Sequence, residues 1–408
     1  MTEERTVVPL LEPREGIPPV VEDAASLARV VEAFGAGTGP VAVDAERASG
    51  YRYGNRAYLV QLRRVGAGSA LIDPIACPDL SELDDAVSGA EIVLHAASQD
   101  LACLLEVGFR PRDMFDTELA GRLLGYERVG LGTMVETVLG LRLEKGHSAA
   151  DWSTRPLPED WLRYAALDVE VLVELRDVLY DELVESGKLE WAREEFAAVL
   201  NTPPPVPRSD PWRRTSGIHK VRNMRALAIV RELWTMRDRI ARESDLAPGR
   251  VLPDSAIVTA ALEVPRTKKA LTEISAFTGR SARRHMTDWL AAVSRARGLP
   301  ESQLPQPSTP GDGPPPANRW ADRDPAAAKR LAAARAVVAA LADEHRMPTE
   351  NLLQPDAVRR LTWEPPEEIT DEAVTARLRG LGAREWQLSL TAHPLAKALA
   401  RLETKGEL

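Results

Sequence analysis

The sequence predicts an α/β domain, a mixed β-sheet flanked by helices, followed by two all-helical domains. Three observations carry this. Up to residue 200, short apolar runs with period-two alternation interleave with stretches of helical periodicity. Two proline-rich breaks, Asn201–Pro207 and Leu304–Pro316, interrupt the chain. Beyond the first break only helical periodicity remains. Proline removes a backbone donor and favours extended chain, so both breaks read as semi-rigid linkers. The units they delimit, residues 1–207, 213–300 and 318–408, have the sizes of domains.

In the first unit, Pro40–Glu46, Ala57–Leu62 and Ser69–Asp73 are strand-like and separated by glycine-bearing turns, which predicts an antiparallel meander. Leu80–Val87 predicts a short helix and Ala90–His95 another strand. Ser98–Val107 predicts a helix with Ser98 as its N-cap. The pattern is helical from Thr117, where Asp116 is placed to cap. Pro158–Ser186 predicts one long helix with Pro158 in its first turn. The second unit predicts helices over Val221–Arg242, from Pro253 with Asp254 or Ser255 as cap, over Pro265–Ile274 and over Arg280–Arg297. Trp234 and Trp289 fall on apolar faces and read as core. The third unit loosely repeats the second: Asp324–Arg346 is long and alanine-rich, Met347–Leu353 parallels Ala247–Pro253, and Pro355-Asp-Ala-Val parallels Pro253-Asp-Ser-Ala.

Cys77 and Cys103 are the only cysteines and form no CxxC pair, which gives no disulfide framework and no zinc knuckle. The acidic, polar start does not resemble a signal peptide, and no apolar run reaches the ~18–20 residues of a membrane span. The cytoplasm is the expected location. The net charge of −9 hides an asymmetry. Residues 1–212 carry 20 Lys and Arg against 37 Asp and Glu, residues 213–300 carry 18 against 8, and residues 318–408 carry 14 of each. An acidic body is joined to one basic module. Phosphate backbones would be drawn to the module and repelled by the body unless metal ions offset the repulsion.

Asp44 and Glu46 lie two residues apart on a predicted strand, so their carboxylates share a face among Val41, Val43 and Ala45. Unpaired carboxylates in apolar surroundings are costly, and a divalent cation would relieve that cost. Asp100 follows a later strand, in the first turn of a helix. Tyr164 and Asp168 share one helical face as an i, i+4 pair, although aspartate is a poor mid-helix residue. Taken singly, each feature has a plainer explanation: an exposed strand end, a charge matched to the helix dipole, a solvated surface pair.

Together, D-x-E on a first strand, an aspartate after a later strand and Y-x-x-x-D on a helix resemble the DEDD exonuclease superfamily in its tyrosine-bearing branch. Residues 20–200 more closely resemble the ribonuclease D family. The resemblance is carried by Val41-Ala-Val-Asp-Ala-Glu46, Leu59-Val-Gln-Leu62, His95-Ala-Ala-Ser-Gln-Asp-Leu101, Phe115-Asp-Thr117, Asp151-Trp152, Arg155-Pro-Leu157 and Tyr164-Ala-Ala-Leu-Asp-Val169. The helical units resemble two HRDC domains, the second degenerate. What the resemblance implies is a ribonuclease H-like fold and a 3′→5′ exoribonuclease using two divalent cations, Mg²⁺ or Mn²⁺. Asp44, Glu46 and Asp168 would hold one ion, Asp44 and Asp100 the other, and Tyr164 would orient the attacking water. The implied partner is RNA, with tRNA precursors as the family's substrate class and no obligate protein partner.

The sequence departs from the family at Arg47, where an aromatic residue is common after the glutamate. Arg47 either contacts phosphate or is solvated. In the basic module Arg266, Lys268, Lys269, Arg280, Arg283 and Arg284 are candidate phosphate contacts. His95 reads as a hydrogen-bonding neighbour of the site rather than a ligand, and Lys145 and His147 as loop residues. Gly125–Gly132 follows a helix and not a strand, so it is not a phosphate loop. A DNA exonuclease, a general RNA-decay nuclease and an inactive RNA-binding adaptor are the alternatives.

Overall fold

The structure is a computed structural model that describes residues 7–144, 146–203, 206, 208–307 and 313–404. Lys145 and parts of both proline-rich breaks lie outside the described residues. The strands are β1 (Val8–Leu10), β2 (Val20–Val21), β3 (Thr38–Arg47), β4 (Ala57–Val65), β5 (Gly68–Ile72), β6 (Ile92–Leu94), β7 (Met114–Asp116) and β8 (Leu141–Leu143). The main sheet has the order β2-β5-β4-β3-β6-β7. β3, β4 and β5 form the expected antiparallel meander, while β2, β6 and β7 join in parallel. β1 and β8 pair separately. β3 is central, and Val41, Ala42 and Val43 are buried on both faces, which explains its nearly continuous apolar run.

The helices of this body are α1 (Ala24–Ala36), α2 (Ser81–Ala86), α3 (Leu101–Glu106), α4 (Thr117–Leu124), α5 (Leu131–Leu139), α6 (Glu159–Glu170), α7 (Leu172–Glu185) and α8 (Leu189–Leu200). Three local expectations are corrected. Ser98 lies within a 3₁₀ turn, Ala97–Gln99, and α3 starts at Leu101 without a side-chain cap. Pro158 is the N-cap of α6 rather than its first turn. The predicted long helix breaks at Val171, so that α6 crosses β3, β4 and β5 and α7 turns to pack on α4 and α5. Asp116 does cap α4, accepting from the N–H groups of Glu118 and Leu119.

The second unit comprises α9 (Met224–Glu243), α10 (Pro248–Val251), α11 (Asp254–Glu263), α12 (Lys268–Glu273), α13 (Arg280–Arg284) and α14 (Met286–Gly298), closed over their own core. Neither Asp254 nor Ser255 caps α11; Asp254 instead receives Arg237 at 2.6 Å. Trp289 is core, whereas Trp234 is only half-buried at its margin. The third unit comprises α15 (Trp320–Arg323), α16 (Pro325–Glu344), α17 (Thr349–Leu352), α18 (Pro355–Trp363), α19 (Asp371–Gly380) and α20 (Glu385–Thr404).

The internal repeat is visible in the backbone. α9 and α16 are both 20 residues long, and each is followed by a residue in the left-handed region, Asp245 or Arg346, then by a four-residue helix. Leu246 and Met347 each donate back to the helix, to Ala241 and Ala342, both at 2.9 Å. This Schellman-like closure aligns Asp245 with Arg346. It shifts the sequence-based alignment, which matches Pro248 to Pro348, by one residue.

The units attach to the body differently. The third shares one continuous apolar core with it. Trp191 of α8 stacks on Trp386 of α20 with centroids 5.0 Å apart, and the buried Lys188 Nζ donates to the carbonyls of Leu123 and His345. The second unit grips the loop after β3 through polar contacts. Tyr53 Oη donates to Asp238 at 2.9 Å, Ala247 N–H donates to Tyr51 O at 2.9 Å, and Arg250 covers the Tyr51 ring at 3.9 Å.

Candidate active site

β3 delivers Asp44 and Glu46 to one face of the sheet, as alternation requires. α6 crosses that face and delivers Asp168, with Tyr164 one turn earlier. Ligand oxygens of Asp44, Glu46 and Asp168 all lie within 4.8 Å of one another. Asp100, at the entry to α3, lines the same cavity of about 650 Å³. All five predicted site residues therefore share one cleft, with Asp100 set to one side of the three-carboxylate cluster.

The surroundings fix these groups. Gln61, opposite Asp44 on β4, is fully buried and donates from Nε2 to Asp44 Oδ2 at 2.9 Å. The Tyr164 phenol sits one helical turn before Asp168 and lines the same cavity. An aromatic wall holds the Tyr164 ring: His147 meets it edge-on at 5.8 Å, and Trp152 lies 6.5 Å away and 5.4 Å from Trp161. Trp152 is held in turn by its indole N–H donating to His147 O at 3.1 Å. Arg155 ties this loop to the sheet by a forked pair with Asp73, at 2.7 and 2.9 Å, and a bond to Tyr58 O. His147, Trp152, Trp161 and Gln61 are not among the site residues that the sequence predicts. Their contacts join neighbouring elements rather than positions within one strand or helix, so no strand or helix period reports them, although Gln61 and Trp152 lie in stretches that carry the family resemblance.

Electrostatically the cleft is poised for cations. Burial pushes all four carboxyls up, and mutual repulsion adds to it: Glu46 rises to about 10 and Asp100 to about 8, with Asp44 a contributor to both. Burial and the neighbouring carboxylates, Asp168 first, also hold the Tyr164 phenol above its ordinary range, so its proton is retained. Asp100 Oδ1 is buried and accepts no hydrogen bond, which leaves an acceptor site open. Hard oxygen donors, close-set and short of protein partners, fit a divalent cation.

Neighbouring expectations divide. His95 is 2.9 Å from Thr117 Oγ1, and burial lowers it to about 4; it is a neutral neighbour outside the carboxylate cluster. Asp116 is buried and also accepts from the N–H groups of Ala96 and Ala97, so it braces the turn before Asp100. Arg47 is not simply solvated: its guanidinium lies 3.3 Å from Asp100 Oδ1 inside the cleft. The glycines at 130 and 132 make no phosphate loop, but the start of α5 does line the cavity. Lys268, Lys269, Arg280, Arg283 and Arg284 are exposed on α12 and α13, far along the chain from the carboxylates and lining no part of this cavity.

Comparison with known proteins agrees with this architecture. Residues 18–184 match the family model described as 3'-5' exonuclease, residues 226–293 match the HRDC domain, and residues 313–399 match the 3' to 5' exonuclease C-terminal domain. A ribonuclease D of Gluconacetobacter diazotrophicus is 30% identical over 81% of this chain and 82% of its own length. A crystal structure of a protein from Bifidobacterium adolescentis superposes with a TM-score of 0.90 at 38% identity, covering 97% of this chain and all of that one. Escherichia coli RNase D, described as an exoribonuclease involved in structured RNA processing, superposes with a TM-score of 0.68 at 28% identity over 94% and 98% of the two chains. With the carboxylate cleft, the nuclease match and a relative covered over most of its length, the chain belongs to the ribonuclease D family of 3′→5′ exonucleases.

Proposed function

We propose that this 3′→5′ exoribonuclease hydrolyses the terminal phosphodiester of RNA at the Asp44–Glu46–Asp100–Asp168 cleft and that it trims structured precursors such as those of tRNA. The observation that carries the site is the convergence of Asp44, Glu46 and Asp168 within 4.8 Å, beside a protonated Tyr164. Asp44, Glu46 and Asp168 would hold one divalent cation, and Asp44 and Asp100 a second, with Mg²⁺ or Mn²⁺ suited to an all-oxygen set. Bound cations would supply the charge that activates water and stabilises the leaving 3′-oxygen.

The protein's own groups do the rest. Gln61 holds Asp44 by its amide, and Tyr164, beside Asp168 and walled by His147 and Trp152, presents its hydroxyl oxygen to align the attacking water. Attack at phosphorus breaks the bond to the 3′-oxygen of the preceding nucleotide. The products are a nucleoside 5′-monophosphate and an RNA one nucleotide shorter.

The helical units supply affinity. We assign residues 1–207 to the nuclease, 213–300 to an HRDC domain and 318–408 to a second, degenerate HRDC-like domain, on the strength of the backbone repeat. Lys268 and Lys269 lie in the first turn of α12 and Arg280 opens α13, where cations are disfavoured by the helix dipole. They are exposed, and no carboxylate lies within ion-pair reach of them among the described residues, which suits them to an external phosphate backbone. The test is an assay with 3′- and 5′-labelled RNA and matched DNA in Mn²⁺. Mononucleotide released first from the 3′ label, faster on RNA, is expected. Release from the 5′ end, or binding without hydrolysis, would refute the activity.

A further inference from the structure

Arg47 follows Glu46 on β3, and simple alternation would send its side chain to the other face of the sheet. The β3–β4 register shifts at this point: Glu46 pairs with Leu59 but Arg47 with Ala57, leaving Tyr58 unpaired. Such irregularities re-aim side chains next to functional sites. Arg47 accordingly lines the carboxylate cavity, its side chain 27% exposed and its Nη2 3.3 Å from Asp100 Oδ1.

Two features define what this guanidinium can do. The pairing is electrostatic and lacks hydrogen-bond geometry, because Asp100 Oδ1 accepts no hydrogen bond. It is therefore easily exchanged. Arg47 is also the one Lys or Arg among the described residues lining the cavity, whose other charged side chains include Asp44, Glu46, Asp100, Glu118, Glu144 and Asp168. Among the described residues of the lining, Arg47 is the cationic fork that a phosphate entering this cleft meets.

We propose that Arg47 is an exchangeable cation, which rests against Asp100 in the cation-free site and turns to the phosphate of the 3′-terminal nucleotide when a divalent cation takes Asp100. This rests on the assignment of Asp100 as a cation ligand. Cation binding and phosphate binding are then linked: the ion that displaces the guanidinium also releases the group that grips substrate. Arg47 competes with the ion and assists the nucleotide, so its removal shifts the two affinities in opposite directions.

The experiment is calorimetric titration of the full chain and of Arg47→Gln with Mn²⁺, then with adenosine 5′-monophosphate in saturating Mn²⁺, using adenosine as the phosphate-free control. In Arg47→Gln the weaker Mn²⁺ step should tighten on the order of tenfold, as removal of a like charge a few ångströms away requires. Binding of the monophosphate should weaken by about the same factor, with adenosine unaffected. Arg47→Lys keeps the charge and should restore the wild-type Mn²⁺ affinity while recovering only part of the monophosphate affinity. Unchanged Mn²⁺ binding, or weakening of both ligands together, would overturn the exchange while leaving the cation site standing. A wild-type chain that binds no second Mn²⁺ would remove the cation assignment itself, and the exchange with it.

Discussion

Gln61 and Asp44 face each other across β4 and β3, and the Gln61 amide donates to Asp44 Oδ2 at 2.9 Å while its own Oε1, fully buried, has no partner. A core strand accepts this cost only where the donated bond matters, because an orphaned buried acceptor is unfavourable. Gln61→Leu removes both the orphan and the bond. Mn²⁺ affinity or turnover should fall roughly 10–100-fold, the range for losing an outer partner of a metal ligand, while the thermal midpoint stays level or rises. Calorimetry and steady-state assays would check this, and wild-type turnover in Gln61→Leu would show that Asp44 needs no such brace.

The raised carboxyls make stability without cations depend on pH. Glu46 at about 10 and Asp100 at about 8 hold their protons in the folded chain at pH values where the unfolded chain has lost them. The folded state binds more protons, so this contribution is complete below the ordinary carboxylate range and is lost as pH rises through those values. In EDTA the thermal midpoint should therefore decline between about pH 5 and about pH 9. Mn²⁺ takes the deprotonated form, so the stabilisation it gives should grow over the same interval. A cation effect independent of pH would show that these carboxylates are not the ligands.

Lys188 ties the body to the third unit, its buried ammonium donating to Leu123 O at the end of α4 and to His345 O after α16. Lys188→Met would strip the donor from both carbonyls, at about 1–3 kcal/mol for each one left unsatisfied. Thermal denaturation should show that loss, and hydrogen exchange should rise in α4 and α16 before the rest of the body. Uniform exchange across the chain would place the staple elsewhere. Because the third unit shares the body's core, deleting everything after residue 212 would expose that core and is no clean test of RNA affinity.

The clean test of the basic surface is charge removal. Changing Lys268, Lys269, Arg280, Arg283 and Arg284 to Gln should raise KM for long RNA far more than it lowers kcat. The slope of log affinity against log salt should flatten by roughly 0.7 for each single-strand phosphate that the variant no longer neutralises. An unchanged slope would mean that RNA is held by another face.

The meander of the central sheet was legible because its pattern is local, as in the period two of Val41–Glu46, whereas the five residues of the cleft stood out only through the order in which the resemblance places them. β2 and β7, of two and three residues, are too short to show a period and exist only by pairing with β5 and β6. Trp152, His147 and Gln61 act through partners on neighbouring loops, strands or helices, which no single-element period reveals. Arg47 was ambiguous because the register shift that turns it into the cleft belongs to β4 as much as to its own strand. The repeat was visible but misaligned, since matching prolines hid the left-handed closures at Asp245 and Arg346 that set its true register.

Asp44 is the ligand assigned to both cations, which makes it the most direct point of attack. Mn²⁺ titration of the full chain, run with Asp44→Asn and read alongside 3′-end hydrolysis, tests the site in one comparison. Two ions per wild-type chain, with loss of tight binding at both steps and of turnover in a folded Asp44→Asn, is the expected result. A folded Asp44→Asn that keeps either wild-type Mn²⁺ affinity or near-normal hydrolysis would contradict it.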